Sequence, residues 1–312
     1  MSKFSLRAHS FMDSTSHQVL VVLALSLMPL LSQAVSVGST TQGSNTGSAT
    51  LTFSHTPGSG SNRLLIVAIS VGSTALSGAS PAPTVTSVTY NGVAMTLVDD
   101  ALGSESRIVL YRLVNPAAGP FNVVVTVSSA TNVKIDASAT TFTGVDQSTP
   151  LDMSVVFESA ASVGSISLTV GSTASDLIYS ATAIDEGTVD QGITTDAGQT
   201  ELWNTSGVNY TSAASSYEAG TGSNVTSLYT YDNAQDHSGI IVAIKQVVQL
   251  TFPGGVASNN PLWLKANAGT SSTTDGAAVT TWTNSAAGAE MSTASAGLIP
   301  LYRVTSSNQQ IL

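Results

Sequence analysis

Short runs in which hydrophobic and polar residues alternate recur along most of the chain. In residues 121–127 and again in residues 166–170, every second residue is apolar. A period of two is typical of a β-strand with one buried and one solvated face. Roughly a dozen such runs follow one another, with turn residues between them and no window of helical period. The pattern predicts an all-β fold, an antiparallel two-sheet sandwich that is jelly-roll-like in strand number.

Residues 84–98 contain the clearest local signal, two strands joined by Asn91-Gly92. This dipeptide favours a two-residue type I′ turn, because both positions need positive φ. Such a turn fixes the register of the hairpin. We expect Tyr90 to face Val93, and Thr86 to face Leu97.

Two runs are apolar on both faces. Residues 63–71 (RLLIVAISV) and residues 239–247 (GIIVAIKQV) lack the alternation of the other strands. Runs of this kind, rich in β-branched residues and flanked by turns, indicate fully buried strands. We expect both to be central strands that lie beside each other.

The ends of the chain differ from its middle. Basic residues precede an apolar stretch at 19–31, and the small residues Ser32 and Ala34 follow it. This order predicts a signal peptide over residues 1–34. No later segment reaches 18 unbroken apolar residues, so no membrane span is expected after cleavage. A sandwich domain over residues 35–248, a linker over 249–260 and a second segment over 261–312 are expected to follow.

Composition narrows the functional classes. Charged residues make up 9% of the chain, the net charge is −10 and there is no cysteine. An acidic chain lacks the basic surface that nucleic acid requires. The missing cysteines exclude thiol catalysis and thiolate metal sites. The low charge and many Ser, Thr and Gly residues are typical of exported bacterial proteins, so we expect a secreted or cell-surface location.

The sandwich region resembles a module of secreted, adhesin-like bacterial proteins. The resemblance covers residues 62–151 and is carried by residues 63–67, 85–95, 113–119 and 142–150. It implies a structural unit of a larger surface protein, and it brings no catalytic or binding residue with it.

The C-terminal segment resembles the start of a concanavalin-A-like, laminin-G-like lectin domain. The resemblance is carried by residues 262–266, Asp275-Gly276, Val279, Trp282 and residues 300–302. Residues 283–288 depart from the family pattern. Residues 261–312 are too few for such a domain, so the resemblance implies an incomplete β segment.

Patterns for hydrolytic chemistry are not found, and no catalytic residue is assigned. Lectin-like glucanases carry a Glu-x-Asp-x-x-Glu strand, whereas the glutamates of this chain are scattered. A Ser-His-Asp triad would need His55 or His237, and no nucleophile elbow accompanies either. A fragment of a secreted glycoside hydrolase remains one alternative.

Aromatic residues are concentrated between residues 200 and 231. Exposed rings beside amides or carboxylates can bind sugars, whereas the alternative is cross-strand packing inside the sandwich. The candidates for carbohydrate binding are Trp203, Asn204, Tyr210, Tyr217, Tyr229 and Tyr231.

Acidic loops suggest calcium, which binds carboxylate and carbonyl oxygens. The best candidate is Asp232, Asn233 and Asp236, with Asp99-Asp100 and Asp185-Glu186 as further loops. The alternative is that these residues form turns through local hydrogen bonds. A structural calcium ion is the only cofactor considered.

Three functions stay open. The first is a non-catalytic module for adhesion or carbohydrate binding, with glycans or other cell-surface components as partners. The second is a structural spacer without a ligand of its own. The third is the hydrolase fragment.

Overall fold

The computed structural model describes most of the sandwich region and part of the tail. It covers residues 34–73, 82–103, 106–185, 191–205 and 211–247, with short tail strands at 281–283, 290–292, 303–304 and 310–311. Ser32–Val248 is one compact unit. The tail strands belong to a second unit, where Thr281–Thr283 pairs with Glu290–Ser292 and Arg303–Val304 with Gln310–Ile311. The predicted signal peptide, the linker and most of the lectin-like segment lie outside the described residues.

The described part of the first unit consists of β-strands joined by turns, and all of their pairings are antiparallel. The strands are β1 Ser36–Thr46, β2 Thr50–His55, β3 Leu64–Ser73, β4 Val85–Tyr90, β5 Val93–Ala94, β6 Thr96–Leu102, β7 Ser106–Val114, β8 Phe121–Val127, β9 Val133–Thr143, β10 Leu151–Gly171, β11 Leu177–Asp185, β12 Ile193–Thr195, β13 Thr200–Thr205, β14 Thr211–Ala219 and β15 Asn224–Ile244. The all-β antiparallel prediction is confirmed, and the jelly-roll arrangement is not.

The strands form three sheets. Sheet A has the order β1-β9-β3-β7-β6, and sheet B has the order β2-β8-β4-β5. Sheet C has the order β10-β15-β11-β14-β13, with β12 paired to β15. Sheet A lies between the other two, so the sandwich has one sheet more than the sequence predicted.

Strand β3 explains why sheet A is central. Leu65, Val67 and Ile69 face sheet B and share a core with its valines. Leu64 and Ile66, on the opposite face, share a second core with sheet C. A sheet covered on both sides needs strands that are apolar on both faces, as residues 63–71 are.

Strands β10 and β15 are long enough to belong to two layers. Each has 21 residues, and their register shifts near Ser159 and Val163. Beyond these irregularities the paired halves, Val163–Gly171 and Asn224–Gln235, fold back over sheet C; we call them the β10–β15 ribbon. Ile166 and Leu168 of this ribbon contact the β15 backbone at Gly239, and a third core fills the space between.

The Asn91-Gly92 turn is confirmed. Both residues have positive φ, 52° and 73°, and Tyr90 lies opposite Val93. The predicted pairing of Thr86 with Leu97 is wrong. The chain leaves sheet B after the buried Met95 and continues as β6 in sheet A, where Leu97 lies opposite Tyr111.

The prediction that the two doubly apolar strands lie beside each other in one sheet is also wrong. Strand β3 pairs with β7 and β9, whereas β15 pairs with β10 and β11. Both strands contribute instead to the core between sheets A and C, to which Ile66 of β3 and Val242 of β15 belong. Both are central, each in its own sheet.

Candidate functional site

Three aromatic rings that the sequence suggested for sugar binding lie inside the protein. Trp203 is only 3% exposed and packs between sheets A and C. Tyr229 is fully buried and Tyr231 is 8% exposed, and both lie on the face of the β10–β15 ribbon that packs on sheet C. A sugar stacks on an exposed ring face, so these three rings offer no platform in this conformation.

The hydroxyl groups of the two tyrosines are satisfied internally. The Tyr229 hydroxyl lies 2.8 Å from the hydroxyls of both Ser180 and Ser216, and 3.0 Å from the Ser180 carbonyl oxygen. The Tyr231 hydroxyl lies 2.9 Å from that of Thr182. Burial raises the pKa of both tyrosines. The rings therefore stay protonated, and their hydroxyls offset the cost of burial by binding sheet C.

The other carbohydrate candidates are dispersed. Tyr217 is half-buried on β14 opposite Tyr179. Asn204 is exposed on β13, and its amide nitrogen donates to the Ile193 carbonyl at 2.9 Å and to the Glu201 carboxylate at 2.8 Å. Tyr210 lies outside the described residues. Of the described candidates, Asn204 alone has an exposed side chain, and it is held by its neighbours.

The three residues suggested for calcium binding contact different parts of the chain. Asp232 accepts a hydrogen bond from the Gly192 backbone at 3.0 Å, and Asn233 donates to Gln191 at 2.9 Å. The Asp236 carboxylate lies instead against Gly103, in the turn between β6 and β7. Within the described ranges no group of three or more His, Cys, Asp or Glu residues could hold a metal ion. Calcium binding remains a prediction.

A buried ion pair, which the sequence reading did not single out, lies on the face of β9 that points to sheet C. Lys134 Nζ is 2.7 Å from Asp136 Oδ2, and both side chains are at least nine-tenths buried. Ser70, opposite Asp136 on β3, has its hydroxyl 2.9 Å from that of Thr211 on β14. These polar contacts extend the core between sheets A and C. In the sequence, Lys134 and Asp136 alternate with the apolar residues of β9, and this alternation places the two charged residues on the same face of the strand.

His55 is buried between two threonines at the end of β2. Its Nδ1 lies 2.8 Å from the Thr41 hydroxyl and its Nε2 lies 2.7 Å from the Thr141 hydroxyl. Burial lowers the pKa of His55 to about 4. The ring is therefore neutral near pH 7, and both of its nitrogens are used in joining β2 to sheet A.

His237, the other histidine considered for catalysis, is also buried. Its ring stacks on Phe157, with centroids 5.4 Å apart, and lies 5.7 Å from the ring of Tyr231. Its Nδ1 is 3.1 Å from the Gln235 carbonyl oxygen. The ring thus packs within the protein beside the bend of β15.

An open cleft separates β6 and β7 of sheet A from the start of β10. It has a volume of about 220 Å³ and is lined by Leu97, Val98, Arg112, Leu151, Asp152 and Ser154. The Ser154 hydroxyl donates to Asp99 at 2.8 Å, and Lys245 lies 3.7 Å from Asp152. The cleft thus combines apolar side chains with both signs of charge, and the sequence pattern gave no sign of it.

Comparison with models of protein families, with curated proteins and with solved structures gave no match. In the part of the chain that the structure describes, no helix has the length and apolar character needed to cross a membrane.

Proposed function

We propose that residues 35–248 form a non-catalytic module of an exported surface protein and act as a structural spacer. The observation that carries this proposal is the use of the polar and aromatic groups inside the fold. Tyr229 and Tyr231 connect the ribbon to sheet C, and Ser70 connects sheet A to β14. Groups that hold layers together in this way are not available to a ligand.

The layering supports the same role. Sheet A contributes to the cores on both of its faces, and sheet C does the same towards sheet A and towards the ribbon. No sheet can shift without disturbing a close-packed core, and such cores resist deformation. A unit of this kind is suited to holding neighbouring segments at a fixed separation.

The test uses Trp203 as a reporter in the full chain. Trp263→Phe and Trp282→Phe together leave Trp203 as the only tryptophan. We expect blue-shifted emission and weak quenching by acrylamide, and we expect no glycan to change the Trp203 emission, with or without calcium. Strong quenching, or a glycan that changes the Trp203 emission, would contradict the spacer role.

Adhesion through carbohydrate binding is the second candidate. The cleft between β6 and β10 favours it, because it is open to solvent and is lined by an arginine, a carboxylate and apolar groups. Small-molecule sites typically combine an apolar lining with a few polar groups. On this alternative the module binds glycans at the cleft and not at the aromatic residues.

A further inference from the structure

We propose that the cleft between β6 and β10 binds a carboxylate-bearing sugar, with Arg112 holding the carboxylate. The inference rests on the carbohydrate-binding candidate and does not require the spacer role. It starts from Arg112, which lies on β7 and is partly buried at the wall of the cleft.

Arg112 differs from the two other arginines of this unit. Arg63 donates to the Pro116 and Gly60 carbonyl oxygens, and Arg107 is paired with Asp100. Among the described residues, the side chain of Arg112 makes neither a hydrogen bond nor an ion pair. A guanidinium carries five N–H donors in a planar fork that matches a carboxylate. Its donors are therefore available to a ligand in the cleft.

The surrounding charges favour an anion with a single charge. Asp152 lines the cleft and is compensated by Lys245 at 3.7 Å, while Asp99 lies just beyond Ser154. These carboxylates would repel a doubly charged phosphate ester or sulfate ion more strongly than a singly charged carboxylate, since like charges disfavour each other. A carboxylate can also pair with the guanidinium of Arg112 through two parallel hydrogen bonds.

The rest of the lining suits the body of a sugar. Leu97 is 49% exposed at the cleft, where Val98 and Leu151 add apolar surface for the C–H groups of a pyranose ring. Asp152 and Ser154 provide oxygen atoms that can hydrogen-bond sugar hydroxyls. The volume of about 220 Å³ is below the roughly 300–1,000 Å³ of drug-sized sites, so one sugar residue is the expected occupant.

The experiment is a titration of the full chain with glucuronate, followed by the NMR signal of the Arg112 Nε–H group. We expect saturable shifts of this signal, and at least about tenfold weaker binding of glucose, which lacks the carboxylate. Arg112→Gln should weaken glucuronate binding by about tenfold or more. Arg112→Lys should recover part of the loss, because it keeps the charge but not the fork.

Among the described residues the Arg112 side chain has no hydrogen-bonding or ionic partner, so both variants should unfold near the wild-type temperature. This comparison is the control for folding. Equal glucuronate affinity in wild type and Arg112→Gln would overturn the proposal. Tighter binding of N-acetylleucine than of glucuronate would also overturn it, and would indicate a peptide carboxylate as the ligand. Binding of neutral glycans on a glycan array without glucuronate binding would leave the carbohydrate function standing and reject this ligand.

Discussion

Among single residues, His55 has the clearest physical signature. It is 1% exposed, and the hydroxyls of Thr41 and Thr141 lie within hydrogen-bonding distance of its two ring nitrogens. A neutral ring fits this site, because one nitrogen can donate while the other accepts. Protonation would place a charge in a buried site whose described hydrogen-bonding partners are neutral hydroxyls, and burial accordingly lowers the pKa of His55 to about 4.

We therefore predict that His55 makes the protein sensitive to acid. In the unfolded chain the pKa of His55 is close to 6.5. Between pH 6.5 and 4, His55 therefore binds a proton in the unfolded state but stays neutral in the folded state. The contribution of neutral His55 to the free energy of unfolding is fully present above pH 6.5. It is lost as the pH falls to 4, which lowers the free energy of unfolding by at most about 3 kcal/mol. Urea unfolding of wild type and His55→Gln at pH 7.5, 5.5 and 4 measures it. A parallel pH dependence in the two proteins would refute the role of His55.

For a single residue, the sequence predicts which face of its strand the side chain lies on, but not what covers that face. The alternation in β15 indicates that Tyr229 and Tyr231 point the same way, and both do. The sequence could not show that this face is covered, because it packs on β11 of sheet C, which lies much earlier in the chain. The same limit applies to Arg112, whose cleft depends on β10 lying beside β6.

At the scale of elements, local sequence patterns predicted a turn correctly, but they did not predict where the chain passes from one sheet to another. The turn at Asn91-Gly92 depends only on the φ angles that two residues can adopt, and it forms as predicted. The passage of the chain from β5 in sheet B to β6 in sheet A depends instead on which sheet buries Met95 and which pairs with β7. No local pattern carries that information.

The connection between β14 and β15 allows a prediction about close packing of backbone. Gly220 donates its N–H to the Asp176 carbonyl at 2.9 Å, and a Cβ at Gly220 would lie 2.2 Å from the carbonyl oxygen of Thr173. Backbone must move to relieve such a contact, so Gly220→Ala should lower the free energy of unfolding by about 1–3 kcal/mol.

Gly58→Ala is the matched control for this prediction. No atom lies within 4 Å of the position its Cβ would take, so a change of less than about 0.5 kcal/mol is expected. Chemical denaturation measures both variants. If Gly220→Ala were as stable as Gly58→Ala, the turn would have to adopt a different backbone arrangement from the one described.

At the scale of the molecule, the doubly apolar runs were the best guide. They indicated strands covered on both faces, and β3 and β15 are such strands. Because β3 and β15 lie in different sheets, two sheets are covered on both faces, and the fold has more than two layers. The bending of β10 and β15 adds the ribbon as a further layer, and it depends on register shifts that alternation alone does not reveal.

The shared sheets predict that the first unit unfolds as one body. Leu51, Leu64 and Leu168 are at most 3% exposed and belong to the three different cores. Each Leu→Ala substitution should lower the stability of the whole unit by about 2–5 kcal/mol, since each leaves a cavity in a core that borders a shared sheet. Far-UV circular dichroism and the fluorescence of Trp203, with the two tail tryptophans replaced by Phe, should report the same midpoint in every variant. A Leu168→Ala protein that loses β-structure before its Trp203 signal changes would show instead that the ribbon unfolds independently of the sheets beneath it.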